Sequence, residues 1–247
     1  MTISAVAGTL RAAGVQVWTD APVAEHGYWK IGGPADLLVH ASSPDDLQVI
    51  MQTGLPVTVL GNGSNLLVAD AGIRGITVQL HGTFRTSTVK AGLLRAGGGL
   101  MNTVLLARLD RARVGGLGCL AGVPGTIGGA IRMNAGTRLG AIGERVEWVD
   151  IIQSSGTKER LTPAEIGFSY RWAQLPTDAI VVEVGLRVDA DIYSKERAAM
   201  AEHLSYRMKT QPLNQPSCGS VFKNPPGDHA GRLIEAAGLK GHSHGGA

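Results

Sequence analysis

Residues 61–70, "GNGSNLLVAD", set two glycines, two asparagines and a serine directly ahead of an apolar pair. The preceding "LPVTVL" reads as a strand, so this bare polar backbone begins where a strand ends, at Leu60. Consecutive free N–H groups beside small hydroxyl and amide side chains suit phosphate oxygens, which makes Gly61, Asn62, Gly63, Ser64 and Asn65 candidates for holding a diphosphate. The competing reading is a hairpin turn leading into a second strand, because Asn-Gly is the strongest short hairpin signal. Two common nucleotide fingerprints are missing: Gly61 and Gly63 begin a GxGxxG whose third position is Leu66, and no GxxxxGK followed by Ser or Thr occurs.

The rest of the chain narrows the choice. With 247 residues and 44% hydrophobic content it can bury a sizeable core. A formal net charge of +3, with basic residues scattered among acids, lacks the footprint of a nucleic-acid binder while leaving a small anionic ligand compatible. Cys119 and Cys218 stand far apart with no metal-ligand spacing and read as free thiols of a reducing compartment, and no stretch reaches the roughly 18 apolar residues of a membrane span. The N-terminal "MTISAVAGTLRAAGV" has no export signature, so a cytoplasmic location is expected. The 35 glycines concentrate between Gly61 and Gly143, and "AGVPGTIGGAIRMNAG" (121–136) is a second segment able to bring backbone close to a ligand, unless it is only a tightly packed helix start. Two such segments some sixty residues apart suggest a long ligand touched at several places.

Around them the pattern mixes helices and strands. Residues 3–14, "SSPDDLQVIMQTG" with Ser43 as N-cap and Pro44 at the first turn, "LMNTVLLARLDRA", "SKERAAMAEHLSYRMKT" and "HAGRLIEAAGLKG" read as helices. "PADLLVHA", "GITVQL", "STVKAG", "LLRAGGG", "AIVVEVGLRVDA" and the hairpin "RVEWVDIIQSSGTKERL" read as strands. The change of pattern puts a boundary near residue 190. His242 and His244 form an HxH with no third ligand in view and read as tail rather than metal site.

"KIGGPADLLV", "VLGNGSNLLV", "AGVPGTIGGAIRMNAG", "FSYRW" and "QPSCGSVFKNPPGDHAGRLIEAAGLKGH", in this order, resemble the UDP-N-acetylenolpyruvoylglucosamine reductase family, in its shorter-loop class. The resemblance implies an α+β chain: a lead-in over 1–22, an FAD-binding domain of the vanillyl-alcohol oxidase type over 23–189, and a substrate domain over 190–247. It implies that Gly61–Asn65 together with Gly122, Pro124, Gly125, Thr126, Gly128 and Gly129 surround FAD. It also implies that NADPH is the reductant and that the enolpyruvyl group of a UDP-sugar is reduced for peptidoglycan synthesis by a monomeric cytoplasmic enzyme. Arg171 is then the group that stabilises the charge developing beside the substrate carboxylate, and Ser220 the proton donor. Tyr170, Arg207, Lys209 and Asn224 are substrate-binding candidates. The family's later catalytic glutamate has no counterpart here, and "GHSHGGA" departs from the usual "GHRIGGA". The substrate domain is therefore expected to be C-terminally incomplete, with apolar surface of "RLIEAAGL" exposed. Another FAD-dependent oxidoreductase on the same fold, or an inactive flavin-binding remnant, are the alternatives.

Overall fold

A computed structural model describes residues 2–211 and 219–245. Contacts group the chain into two units, Met1–Gln211 and Pro212–Ala247, each described by itself below. In the first unit, helix α1 (Ile3–Ala12) starts at Thr2, whose hydroxyl accepts from the Ala5 amide, and buries Val6, Ala7 and Leu10. Strand β1 (Gln16–Pro22), unrecognised in the sequence because Thr19 and Asp20 interrupt its alternation, is followed by a turn of helix, α2 (Val23–His26). It pairs antiparallel with β2 (Pro34–Ala41). Helix α3 (Pro44–Met51) begins with the reciprocal Ser43–Asp46 capping box, a device worth about 1 kcal/mol. Strands β3 (Val57–Val59) and β4 (Ile73–Leu80) complete a sheet of order β1-β2-β4-β3. Leu37 and Val39 of β2, Ile76 and Val78 of β4, and Leu47 and Ile50 of α3 fill its core.

The pairing of β3 with β4 is parallel, so residues 61–72 are a crossover and not the hairpin turn that Asn-Gly suggests. The second strand expected after Asn65 does not form. The Ala69 carbonyl accepts from Gly33 and Gly72 amides at 3.1 and 2.8 Å, which ties this stretch to the chain before β2 instead of to a ladder. Gly72 is needed there, since a Cβ on it would stand 1.8 Å from the Pro34 carbonyl oxygen.

Strands β5 (Ser87–Lys90) and β6 (Leu93–Gly97) open a second, antiparallel sheet. Helices α4 (Asn102–Ala112) and α5 (Ile127–Arg132) and a two-residue ribbon, β7 (Gly136–Thr137) with β8 (Gly140–Ala141), come next. The sheet then takes β9 (Val146–Ile152), β10 (Lys158–Leu161) and, after the short α6 (Pro163–Ile166), β11 (Ile180–Arg187), in the order β10-β9-β11-β6-β5. Leu94, Val149, Ile151, Val184 and Leu186 meet Leu105, Leu109, Ile127 and Ile131 in its core. Helix α7 (Tyr193–Thr210) belongs to this first unit. In the second unit the described residues form one helix, α8 (Ala230–Ala236), which ends before Gly238 at φ +71° and leaves Leu233, Ile234 and Leu239 exposed. No helix among the described residues is long and apolar enough to cross a membrane.

At the end of β2 the ring of His40 stacks on that of His81, centroids 3.7 Å apart, and Arg85 Nη2 donates to His81 Nε2 at 2.8 Å. A guanidinium can only donate, so His81 must keep that nitrogen unprotonated. Burial, reinforced by His40 and Arg85, lowers His81 from its ordinary 6.5 to about 4. A base that resists protonation in the folded state lets the unfolded chain take up more protons, so stability should fall as pH drops from 6.5 toward about 4. Urea unfolding across that interval should show this slope, and His81→Asn should flatten it; an unchanged slope would remove His81 as its source.

Candidate functional site

The two glycine-rich segments meet. Leu60 makes the last ladder bond of β3, its amide on the Val78 carbonyl at 2.8 Å, and the chain then turns into Gly61 with Gln79 Nε2 on the Gly61 carbonyl at 3.4 Å. A Cβ on Gly61 would lie 2.8 Å from Thr126 Oγ1, and one on Gly125 would lie 3.2 Å from Ser64 Oγ. Ser64 Oγ also donates to the Pro124 carbonyl at 3.4 Å. Gly63 has φ +66° and passes so near Gly27 that a Cβ would stand 2.9 Å from its Cα. Among the described residues, none of the five successive amides of Gly61–Asn65 donates to a protein acceptor. Successive amides of this kind, left without a protein acceptor, are the donors an anionic oxygen-rich ligand takes up.

The second segment leaves a 3-10 turn at Gly118–Leu120 and is pinned along its length. Asn102 Nδ2 donates to the Val123 carbonyl at 3.3 Å, the Asn102 amide donates to Gly125 O at 3.0 Å, and the Gly128 amide bonds Gly98 O at 2.8 Å. Thr126 caps α5 by accepting from the Gly129 amide at 3.4 Å. Of the residues picked from sequence, Gly128 and Gly129 thus have their amides engaged within the protein, whereas those of Gly122, Gly125 and Thr126 have no acceptor among the described residues.

Helix α7 backs this segment with Arg207, a substrate-binding candidate from sequence, and with Glu196 and His203, which the sequence reading did not single out. Glu196 accepts from the Gly116 amide at 2.7 Å, His203 is buried beneath, and Arg207 donates to the Gly122 carbonyl. The spacing 196, 203, 207 follows one face of a helix, a signal that was available in the sequence. Burial, then Glu196 and Glu144, push the Cys119 thiol up to about 12, so it is inert packing; Cys218 lies outside the described residues. Arg207 also holds Gln211 Oε1 at 3.0 Å, and Lys209, two residues on, is exposed on the opposite side of α7.

Arg171 sits at the tip of a tight hairpin whose ends, Ser169 and Trp172, exchange bonds of 3.0 and 3.1 Å. Its φ of +55° is left-handed, a conformation costing a non-glycine residue about 1–2 kcal/mol, so the surroundings must impose it. One donor, Nη1, reaches the Gly136 carbonyl at 3.1 Å, and the Tyr170 ring lies 5.8 Å from the guanidinium carbon. In the second unit Ser220 is exposed after Gly219, itself at φ +60°, and Asn224 Oδ1 accepts from the Ala230 amide at 3.0 Å at the start of α8. Among the described residues no three His, Cys, Asp or Glu side chains gather to hold a metal.

The models of two families match this chain: an FAD binding domain over residues 35–162, and the C-terminal domain of UDP-N-acetylenolpyruvoylglucosamine reductase over 211–247. A UDP-N-acetylenolpyruvoylglucosamine reductase of Symbiobacterium thermophilum is 43% identical over 92% of this chain and 75% of its own. The chain belongs to the UDP-N-acetylenolpyruvoylglucosamine reductase family. The crystal structure of that reductase from Thermus caldophilus superposes with a TM-score of 0.80 at 37% identity, covering 91% of this chain and 80% of the other. A vanillyl-alcohol-oxidase-type flavoprotein from Myceliophthora thermophila, at 15% identity and TM-score 0.50 over 63% of this chain and 32% of its own, shares the fold. The fold is therefore the FAD-binding fold of that type, and the glycine-lined cradle lies within the matched FAD-binding region. Its free amides and its lack of room for side chains fit a diphosphate.

Gly63→Val adds a β-branched side chain where backbone already approaches Gly27 and φ is positive, and the purified variant should lose its bound flavin while keeping its far-ultraviolet circular dichroism. A yellow Gly63→Val protein with the parent's visible flavin absorbance per chain would overturn the cradle assignment.

Proposed function

We propose that this member of the reductase family reduces the enolpyruvyl group of UDP-N-acetylglucosamine enolpyruvate to UDP-N-acetylmuramate, with NADPH as electron source, in peptidoglycan precursor synthesis. The observation that carries the reading is the run of five unpartnered amides at Gly61–Asn65, closed by the Ser64–Pro124 bond, in a chain of this family. FAD held there supplies hydride chemistry; the chain's own residues have to bind, orient and protonate the substrate.

Reduction of the enolpyruvyl double bond leaves negative charge on the carbon beside the carboxylate and then requires a proton at that carbon. Arg171 is assigned to the charge: with Nη1 on Gly136, its remaining N–H donors can grip a carboxylate or enolate oxygen, and the guanidinium stays cationic throughout. Ser220 is assigned to the proton, since a carbanion is basic enough to take one from a hydroxyl that would be too weak an acid for most general catalysis. Tyr170, Arg207, Lys209 and Asn224 are proposed to contact the UDP-sugar. Residues 23–189 are read as the FAD-binding part and 190–247 as the substrate-binding part. The enzyme is read as cytoplasmic and monomeric.

The two half-reactions separate these roles. In Ser220→Ala, flavin reduction by NADPH should stay within about twofold of the parent, while reoxidation by the enolpyruvyl sugar should slow on the order of a hundredfold or more, as loss of a general acid does. Stopped-flow absorbance measures both rates. Equal losses in the two would take Ser220 out of the proton-donor role, and an enolpyruvyl sugar that fails to reoxidise the parent flavin at all would sink the proposed activity.

A further inference from the structure

Arg171 carries its backbone in a strained turn, yet only the Ser169–Trp172 pair is local to that hairpin. What else fixes it comes from the end of α5. Asn134 is 9% exposed and itself left-handed, at φ +40°. Its carboxamide bridges two segments: Nδ2 donates to the Ser169 carbonyl at 2.8 Å, and Oδ1 accepts from the Gly143 amide at 3.0 Å. Two residues later Gly136 receives Arg171 Nη1, and two residues earlier Arg132 donates to the Pro176 carbonyl at 2.9 Å and to that of Ala179. Residues 132, 134 and 136 therefore hold 169, 171, 176 and 179 from a single strut. The other end of that strut is Thr126, which borders Gly61 in the cofactor cradle.

We propose that Asn134 is a positioning residue for the reductase reaction: its carboxamide locks the 169–172 hairpin to the α5 strut and so sets where the Arg171 guanidinium stands relative to the cofactor cradle. The proposal rests on the reading of Arg171 given above. A buried Asn that merely satisfied its own polar atoms would need two partners, but it would not need them to be the base of the Arg171 hairpin on one side and the turn after β8 on the other. Asn134 is assigned no contact with substrate or cofactor. It acts through Arg171.

Two substitutions isolate the effect. Asn134→Asp keeps the shape and the oxygen that accepts from Gly143, and it turns a donor facing the Ser169 carbonyl into an acceptor. Asn134→Gly tolerates the left-handed backbone and deletes the bridge. Both variants should retain FAD and be reduced by NADPH at close to the parent rate. Reoxidation by saturating enolpyruvyl sugar should slow by about tenfold to a hundredfold, the scale of a misplacement near 1 Å. In an Arg171→Ala background, where the group to be positioned is gone, Asn134→Gly should cost little further.

Flavin loss or equal slowing of both half-reactions in Asn134→Gly and Asn134→Asp would show a structural role and overturn the proposal. So would additive losses in the double variant. A slow Arg171→Ala enzyme beside Asn134 variants at parent rates sinks the positioning role alone, whereas an Arg171→Ala enzyme with normal reoxidation sinks the reading of Arg171 and the proposal with it.

Discussion

Gly61 lies so close to Thr126 that one added carbon would stand 2.8 Å from the threonine hydroxyl oxygen, and the candidate site depends on that approach. With the Ser64–Pro124 bond it joins the loops of the two sheets. The chain before it comes from β3, the edge of the mixed sheet, and the chain after Thr126 becomes α5, which packs on the antiparallel sheet through Ile127 and Ile131. A side chain at Gly61 would part the two and open the row of amides between them.

The parallel pairing of β3 and β4 explains why a glycine-rich loop of this kind is exposed at all. A hairpin would bond its own turn across two adjacent strands and satisfy the amides internally. A crossover between parallel neighbours must instead leave the end of one strand and return to the start of the other, so its first residues project beyond the sheet's carboxyl end with their donors free. Ala69, accepting from Gly33 and Gly72, anchors only the far side of this crossover. On the near side, the amides of Gly61–Asn65 have no acceptor among the described residues, which suits them to the ligand proposed.

Sequence legibility followed the same division. Helix α3 was readable because Ser43, Pro44 and Asp46 supply local capping chemistry, and β4, β9 and β11 because their apolar residues are dense enough to outweigh context. Strand β1 was not, since "TDAP" looks like loop until the pairing with β2 is known. The glycine segments stood out from composition as candidates to face a ligand, but the parallel crossover could not be read, because Asn-Gly carries the same local preference in either topology. Helix α5 was legible only as one of two readings of "GVPGTIGGAIRMNAG": the packed helix start is what the structure shows, and its first residues approach the Gly61 loop. Asn134 had no signal of its own, since its partners lie 35 and 9 residues away in sequence.

The arginines near the site show how a chain of modest net charge can serve an anionic ligand. Arg132 and Arg207 direct their guanidinium groups at backbone carbonyls, those of residues 176 and 179 and of Gly122, and Arg85 donates to the Leu80 carbonyl. They act as struts whose planar forks fix loop geometry, a use for which lysine, with a rotatable point charge, is a poor replacement. In the proposed site, recognition of the diphosphate falls to backbone amides, which cannot be displaced by rotamer changes and which do not raise the electrostatic field over the rest of the surface. In the role proposed for it, Arg171 combines both modes. One nitrogen braces Gly136, which restricts the guanidinium, and the donors that remain would be aimed before any substrate arrives. Preorganisation of that kind requires the brace to be stiffer than the contact it serves, and the strained φ at Arg171, held from Asn134 and Gly136 at once, is the structural mark of such stiffness.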